Sequence, residues 1–175
     1  KTFPDAIFRQ YVKVNIDSNN DNTLSQDECD AVKELVVDSK GIASLKGIEY
    51  FTKLERLSCS SNNLTSLDLS KNTELIALNC RENKLTNLNV KNATNLKDIS
   101  CMDNELTTID LSSNKNLRYV LIRGNKITSL DPPNDTATLA VEGQLQSGQM
   151  NPYYIAVDST CLLYTSDAAD DSLRV

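Results

Sequence analysis

The sequence predicts an α/β solenoid, mostly β, in which a coil of stacked parallel strands is closed at its N-terminal end by a helical cap. Three observations predict it. One 21-residue pattern is written four times, starting at Leu54, Leu75, Leu96 and Leu117. Apolar residues fall in the same slots of each copy, and a helical apolar stripe precedes the first copy. A repeat of fixed period fixes the architecture, because no single copy can enclose its own apolar face and each must stack on its neighbour.

The cap is expected over residues 1–34. Residues 3 to 14 put Phe3, Ile7, Phe8, Tyr11 and Val12 on one helical stripe, and Pro4 suits a first helical turn, where its missing donor costs nothing. A second helix is expected from Gln26 to about Glu34. Between them, Asp17, Asn19, Asp21 and Ser25 place side-chain oxygens at positions 1, 3, 5 and 9 of a loop. Thr23 can offer its carbonyl at 7, and Glu28 stands at 12. That spacing resembles an EF-hand loop and implies a structural Ca²⁺ ion chelated by both oxygens of Glu28. Asn22 departs from the pattern where glycine is usual, although Asn tolerates the left-handed backbone better than most residues. Ser25-Gln-Asp-Glu28 is also a capping box, in which Glu28 would fold back on the Ser25 amide. Calcium is the favoured reading, since a capping box does not require oxygens at positions 1, 3 and 5.

The solenoid is expected over residues 35–131. Residues 35–53 form an opening repeat offset by 22, with Leu35 answering Leu57, Val37 answering Cys59, Ile42 answering Leu64 and Leu45 answering Leu67. Tyr50 and Phe51 should seal the join to the cap. In the four full copies the fourth residue is Leu57, Leu78, Ile99 and Val120, and the sixth is Cys59, Cys80, Cys101 and Ile122. Two apart on a strand, these point the same way, which is inward. Slots eleven, fourteen and sixteen, such as Leu64, Leu67 and Leu69, complete the core. The ninth slot is always Asn (Asn62, Asn83, Asn104, Asn125), an amide able to bond the backbone of the adjoining coil.

After Leu130 the register fails at Asp131-Pro132-Pro133, since proline cannot extend a ladder. Residues 132–160 alternate weakly, in TATLAVEG and YYIAVDS, and are expected to begin a C-terminal cap or a β-domain. The stretch Cys161-Leu-Leu-Tyr-Thr-Ser-Asp-Ala-Ala-Asp170 resembles the in-frame translation of a transposase mosaic end and sequencing adapter. On that reading the gene fragment is metagenomic and truncated, and residues 161–175 stand outside the functional argument. The chain starts at Lys1 without a methionine or an apolar leader, as expected if a signal peptide was removed or not captured.

The frame L-x-x-L-x-C-x-x-N-x-L-T-x-L-D-L, with the phrases SLDLSKNT and LKGIEYFTKL, resembles the leucine-rich repeat family, in particular internalin-like bacterial surface proteins. The resemblance covers residues 3 to 131 and departs from the commonest pattern in placing Cys where Leu is usual. It implies a right-handed coil whose concave parallel sheet binds another macromolecule, usually a protein.

Composition narrows the chemistry. With 175 residues, 39% of them hydrophobic, the chain suffices for one modest domain. Its net charge of −6 argues against nucleic acid or an anionic membrane as partner. No apolar run approaches the ~20 residues of a membrane span. Histidine is absent, which removes Ser-His-Asp and Cys-His nucleophile systems and His-ligated zinc. Cys59, Cys80 and Cys101 recur at the repeat period and should form an inward ladder of thiols that behave as small hydrophobes. Parallel neighbours offer poor disulfide geometry.

Function is expected on the outward sheet face, where residues differ in every copy while core slots barely vary. These are Arg56, Ser58 and Ser60; Ala77, Asn79 and Arg81; Asp98, Ser100 and Met102; Tyr119, Leu121 and Arg123. Arg56, Arg81, Met102, Tyr119, Leu121 and Arg123 are the candidate partner-binding residues, because Arg and Tyr dominate binding hot spots and Leu121 is a costly residue to leave wet. The favoured reading is a monomeric, non-enzymatic module, secreted or displayed on a bacterial cell surface, that engages a protein or glycan. Its alternative is a calcium-stabilised spacer presenting a missing C-terminal domain, enzymatic or otherwise. Asp98 and Asp103 are neighbouring acids on a wet face, with no burial to tune them for catalysis.

Overall fold

The computed structural model describes residues 1–127, together with the strands at 129–130, 138–141, 154–157 and 163–164. Helix α1 spans Ala6–Asn15 and helix α2 spans Gln26–Ala31. The strands are β1 (Glu34–Val36), β2 (Arg56–Ser58), β3 (Ser66–Asp68), β4 (Ala77–Asn79), β5 (Asn87–Asn89), β6 (Asp98–Ser100), β7 (Tyr119–Leu121), β8 (Ser129–Leu130), β9 (Thr138–Val141), β10 (Tyr154–Val157) and β11 (Leu163–Tyr164). A long parallel sheet runs in the order β1-β2-β4-β6-β7-β10-β9, and two-stranded ladders pair β3 with β5 and β8 with β11.

Register follows the repeat arithmetic. Leu35 lies opposite Leu57, Leu57 opposite Leu78, Leu78 opposite Ile99, and Ile99 opposite Val120. The sheet is therefore a parallel-strand solenoid in which each coil returns one rung along. All the anticipated core slots are buried through Ile127, including Leu64, Leu85 and Leu106 at 0% exposure. The three thiols Cys59, Cys80 and Cys101 are buried and unbridged. Burial raises all three thiol pKa values, that of Cys101 to about 12, so none is a thiolate at neutral pH.

The ninth-slot asparagines tie the rungs together as anticipated. Asn104 is typical: its Oδ1 accepts from the Leu85 amide at 2.9 Å, and its Nδ2 donates to the carbonyls of Cys80, Cys101 and Met102 at 3.0–3.1 Å. One slot earlier the chain turns through a left-handed residue in every coil: Ser39, Ser61, Glu82, Asp103 and Gly124, with φ between 54° and 67°. That turn carries the backbone off the strand, and the asparagine amide satisfies the groups it exposes. A second buried amide ladder, Asn72 and Asn114, was not anticipated. It sits at slot nineteen, where the intervening copy has Ala93.

The cap differs in detail from its sequence reading. Asp5 caps α1, its Oδ1 accepting from the Ile7 and Phe8 amides, so Pro4 stands before the helix and not in its first turn. Ile7 leaves the predicted stripe and is 45% exposed, while Phe8 and Val12 are buried. Helix α2 stops at Ala31 because Val32 turns extended and Glu34 already belongs to β1. Phe3 seals the join, its ring meeting Phe8, Tyr50 and Phe51 with centroids 5.5 to 6.2 Å away. Gly47 is required beneath it: at φ 110° a Cβ there would lie 2.3 Å from the Phe3 ring. Asp5 also clamps the cap to the coil, its Oδ2 accepting from the Ala43 and Ser44 amides.

Beyond residue 127, β10 pairs in parallel with β7 and with β9, extending the long sheet by two strands. The Asp131-Pro132-Pro133 break lies outside the described residues, as does the 161–175 tail except for β11. Among the described residues no helix is long and apolar enough to cross a membrane.

Candidate functional site

The outer face of the long sheet is built from the residues flanking each inward one. A strand alternates its side chains, so fixing Leu35, Leu57, Leu78, Ile99 and Val120 inward turns their neighbours outward in two columns. The first column reads Glu34, Arg56, Ala77, Asp98 and Tyr119. The second reads Val36, Ser58, Asn79, Ser100 and Leu121. Neighbours along a column are ~4.8 Å apart, the spacing of hydrogen-bonded strands. Small residues at the middle rungs leave an open groove of about 330 Å³ walled by Glu34, Arg56, Asp98 and Tyr119 and reaching Leu121.

The first column alternates in charge, with Arg56 between Glu34 and the more distant Asp98. Arg56 makes no ion pair among the described residues. Apolar surface is offered at both ends, by Val36 at 48% exposure and Tyr119 at 41%. In the second column the polar side chains serve each other: Asn79 Nδ2 donates to Ser58 Oγ at 3.2 Å, and Ser58 Oγ donates to the Asp38 carboxylate.

The six candidate residues divide. Arg56, Tyr119 and Leu121 line the groove. Arg81, Met102 and Arg123 form a separate column two residues beyond, past the ends of the strands. There Arg81 Nε lies 3.6 Å from Glu82 Oε1, and Arg123 reaches the Met102 sulfur at 3.9 Å. Ser60, expected outward in this third column, is only 5% exposed, because its amide donates to Asp38 Oδ1 at 2.7 Å and the acid covers it. Sequence reasoning missed Glu34 and Val36, which it assigned to the cap and to the opening repeat without a face. Extending the two-residue alternation from Leu35 would have found both.

The loop residues read as metal ligands lie in the cap, on the segment between α1 and the start of α2. Asp17 is buried, and its Oδ2 accepts from the Asn22 amide at 2.9 Å. Asn19 Oδ1 accepts from the Asp21 amide, and Asp21 Oδ1 from the Thr23 amide and hydroxyl. Those Thr23 bonds, the hydroxyl first, hold the Asp21 carboxyl below its usual range. Glu28 takes the capping-box arrangement: Oε2 accepts from the Ser25 amide and hydroxyl, and Oε1 from those of Ser18. The Ser25 bonds, then those of Ser18, lower its pKa to about 2. Among the described residues no three His, Cys, Asp or Glu side chains are drawn together as a formed metal centre.

Known proteins share this architecture. Residues 3–125 match the family described as the Endo-beta-N-acetylglucosaminidase EndoS LRR domain. Internalin J of Listeria monocytogenes serotype 4b is 39% identical over 71 residues, 41% of this chain and 8% of that protein. The solved functional domain of Listeria monocytogenes internalin J, which includes a cysteine ladder, superposes with a TM-score of 0.69 at 39% identity, covering 74% of this chain and 29% of that one. A second Listeria internalin, inlF, shares the fold alone, with a TM-score of 0.57 at 23% identity over 73% of this chain and 49% of the other. The chain thus spans under a third of internalin J's solved domain, and far less of the whole protein. With its repeats, its thiol stack and most of its length matched, the chain belongs to the EndoS-type leucine-rich repeat family and is an internalin-like bacterial repeat protein.

Proposed function

We propose that this domain binds a protein partner across the outer face of its long sheet, on the bacterial surface or after secretion. The observation that carries the reading is the division of labour within each strand. Inward slots hold Leu, Ile, Val or Cys at every rung, whereas the outward slots change charge, size and polarity from rung to rung. Stacking explains the first set and leaves the second free for recognition. Alternating Glu34, Arg56 and Asp98 would demand a partner of complementary charge order, which gives specificity and encounter rate more than affinity. Tyr119 and Val36 supply apolar area, and an exposed Tyr loses little side-chain entropy when it docks. Internalin-like relatives support an interaction role over a catalytic one.

The test is capture of bacterial or host surface proteins by the wild-type chain, by the Arg56→Ala/Tyr119→Ala double variant, and by an Asp68→Ala control on the β3 ladder. Loss of a specific partner in the double variant, with melting unchanged and the control binding normally, is the expected result. Equal capture by all three would refute a site on this face and favour a spacer.

A further inference from the structure

One atom in the cap stands out: Oδ1 of Asp17 is buried and makes no hydrogen bond. The residue is 6% exposed, and its other carboxylate oxygen is held by the Asn22 amide, five residues along the same loop. The carboxylate is thereby turned into the loop it begins. A buried, unpaired anionic oxygen is costly unless a positive group meets it. Two cations of the cap are engaged elsewhere: Lys1 Nζ donates to the Leu24 carbonyl at 2.9 Å and Arg9 Nη1 to the Phe3 carbonyl at 2.9 Å.

The surroundings supply hard oxygens and negative charge. Asn20 and Asn22 both take left-handed backbone, with φ of 56° and 63°, so the chain curls and carries Asn19 and Asp21 round the same turn. Glu28 closes the ring through Ser18, the residue next to Asp17. Its charge is felt by Asp21, where it opposes the hydrogen bonds that lower that carboxyl. Asp21, Glu28 and the Asn19 amide lie on the same loop as this orphan oxygen; they are not drawn together while Glu28 holds Ser18 and Ser25, and they become a donor set for a hard divalent cation once Glu28 turns inward.

We propose that the Asp17–Glu28 loop takes up one calcium ion, held by Asp17 Oδ1, Asn19, Asp21, the Thr23 carbonyl and Glu28, with Ser25 reached through water. Glu28 exchanges its Ser18 and Ser25 contacts for the ion. Helix α2 remains capped meanwhile, because Ser25 Oγ still accepts from the Glu28 amide, now at 3.2 Å. Calcium fits better than magnesium: amide and carbonyl donors on a flexible loop suit six to eight oxygens at relaxed distances, whereas magnesium demands a near-ideal octahedron. Drawing Glu28 inward ties α2, and the buried Cys29 beneath it, to the end of α1. The ion therefore tightens the cap against the first coil.

The experiment titrates calcium chloride into the EDTA-stripped full chain by calorimetry, with magnesium chloride as comparison. One ion per chain is expected, in the ~10⁻⁴–10⁻³ M range of extracellular loop sites, with magnesium at least ~10-fold weaker. At ~100-fold excess over Kd the melting temperature should rise by about 5–10 °C. Glu28→Gln keeps one acceptor oxygen for the capping box but cannot accept the Ser18 and Ser25 bonds together, so its melting is read against its own EDTA baseline, and it should bind calcium at least ~10-fold more weakly than wild type. Asp21→Asn, at an exposed position, should weaken binding likewise, and Asn22→Gly should tighten it. No heat up to about 10 mM calcium, well above that range, would overturn the proposal. So would wild-type affinity in both Glu28→Gln and Asp21→Asn, which would place the ion elsewhere.

Discussion

Two buried asparagines, Asn104 and Asn114, appear equivalent by burial and should differ sharply in what they contribute. Replacing Asn104 with Ala strands the Leu85 amide, whose partner among the described residues is Asn104 Oδ1 at 2.9 Å. The carbonyls of Cys80 and Cys101 fare better, because Asn83 and Asn125 also donate to them. An orphaned buried donor costs ~1–3 kcal/mol and each of the three lost Nδ2 bonds ~0.5–1.5 kcal/mol, so the sum is about 2.5–7.5 kcal/mol. Asn114 donates to the carbonyls of Val90 and Ala93, but these already accept from the Ala93 and Leu96 amides. Its own Oδ1 has no partner, and the preceding copy manages with Ala93 in that slot. Asn114→Ala strands nothing and should cost about 1–3 kcal/mol for its two lost bonds. Urea unfolding of the two variants, with equal m-values, should separate them by about 2 kcal/mol, or ~4–8 °C in melting. Asn104→Asp sharpens the comparison. It keeps the acceptor for Leu85 yet sets an anionic oxygen against three carbonyls, so it should be worse than Ala. Equal costs for Asn104→Ala and Asn114→Ala would refute the accounting.

Two further outcomes follow from packing and charge. Leu78, 2% exposed, should cost ~2–5 kcal/mol on truncation to Ala, whereas Ala77→Ser beside it, on the outer face, should be nearly neutral by thermal melting; similar effects would mean the faces are reversed. Acid should loosen the cap first. Glu28 has a folded pKa of about 2 against an ordinary 4.5, so its contribution is complete above the unfolded value and is lost as pH falls between them. Asp5 adds to this below its ordinary 3.8: burial opposes its ionisation, but the Phe8, Ala43, Ser44 and Ile7 amides outweigh it and hold its pKa down. Melting followed from pH 6 to 2, round values spanning both transitions, should show an acid limb that is shallower in Glu28→Gln; an unchanged limb would remove Glu28 from the account.

The parts of this molecule that were legible in the sequence are those that repeat. A core slot is read from identity at constant spacing, and the same stacking that buries Leu57 buries Leu78 and Ile99. The left-handed turn at slot eight was invisible because Ser, Glu, Asp and Gly fill it in successive copies, sharing a backbone angle and no side-chain chemistry. Asp38 hid for a different reason. It occurs once, in the opening repeat, and covers Ser60 across 22 residues of chain, a contact that no periodicity encodes. Asp5 likewise acts on two distant segments at once, and only its role as a helix cap was open to local reasoning. Glu28 shows the limit of motif spacing, since one carboxylate satisfies both the capping box and the calcium pattern.

The C-terminal strands change what the groove means. On the repeats alone, Tyr119 and Leu121 sit on the last rung, an edge where side chains contribute little to recognition and the open backbone invites uncontrolled pairing. In the seven-stranded order β6 is central and β7 stands beside it, with β10 and β9 beyond. Tyr119 and Leu121 then lie well inside the face, where docked side chains are shielded from water and hot spots concentrate. The face also spans six strand spacings, ~29 Å, in place of the four available to five rungs. Strands β10 and β9, which lack the repeat pattern, would thus bear on the proposed binding by keeping β7 from being an edge.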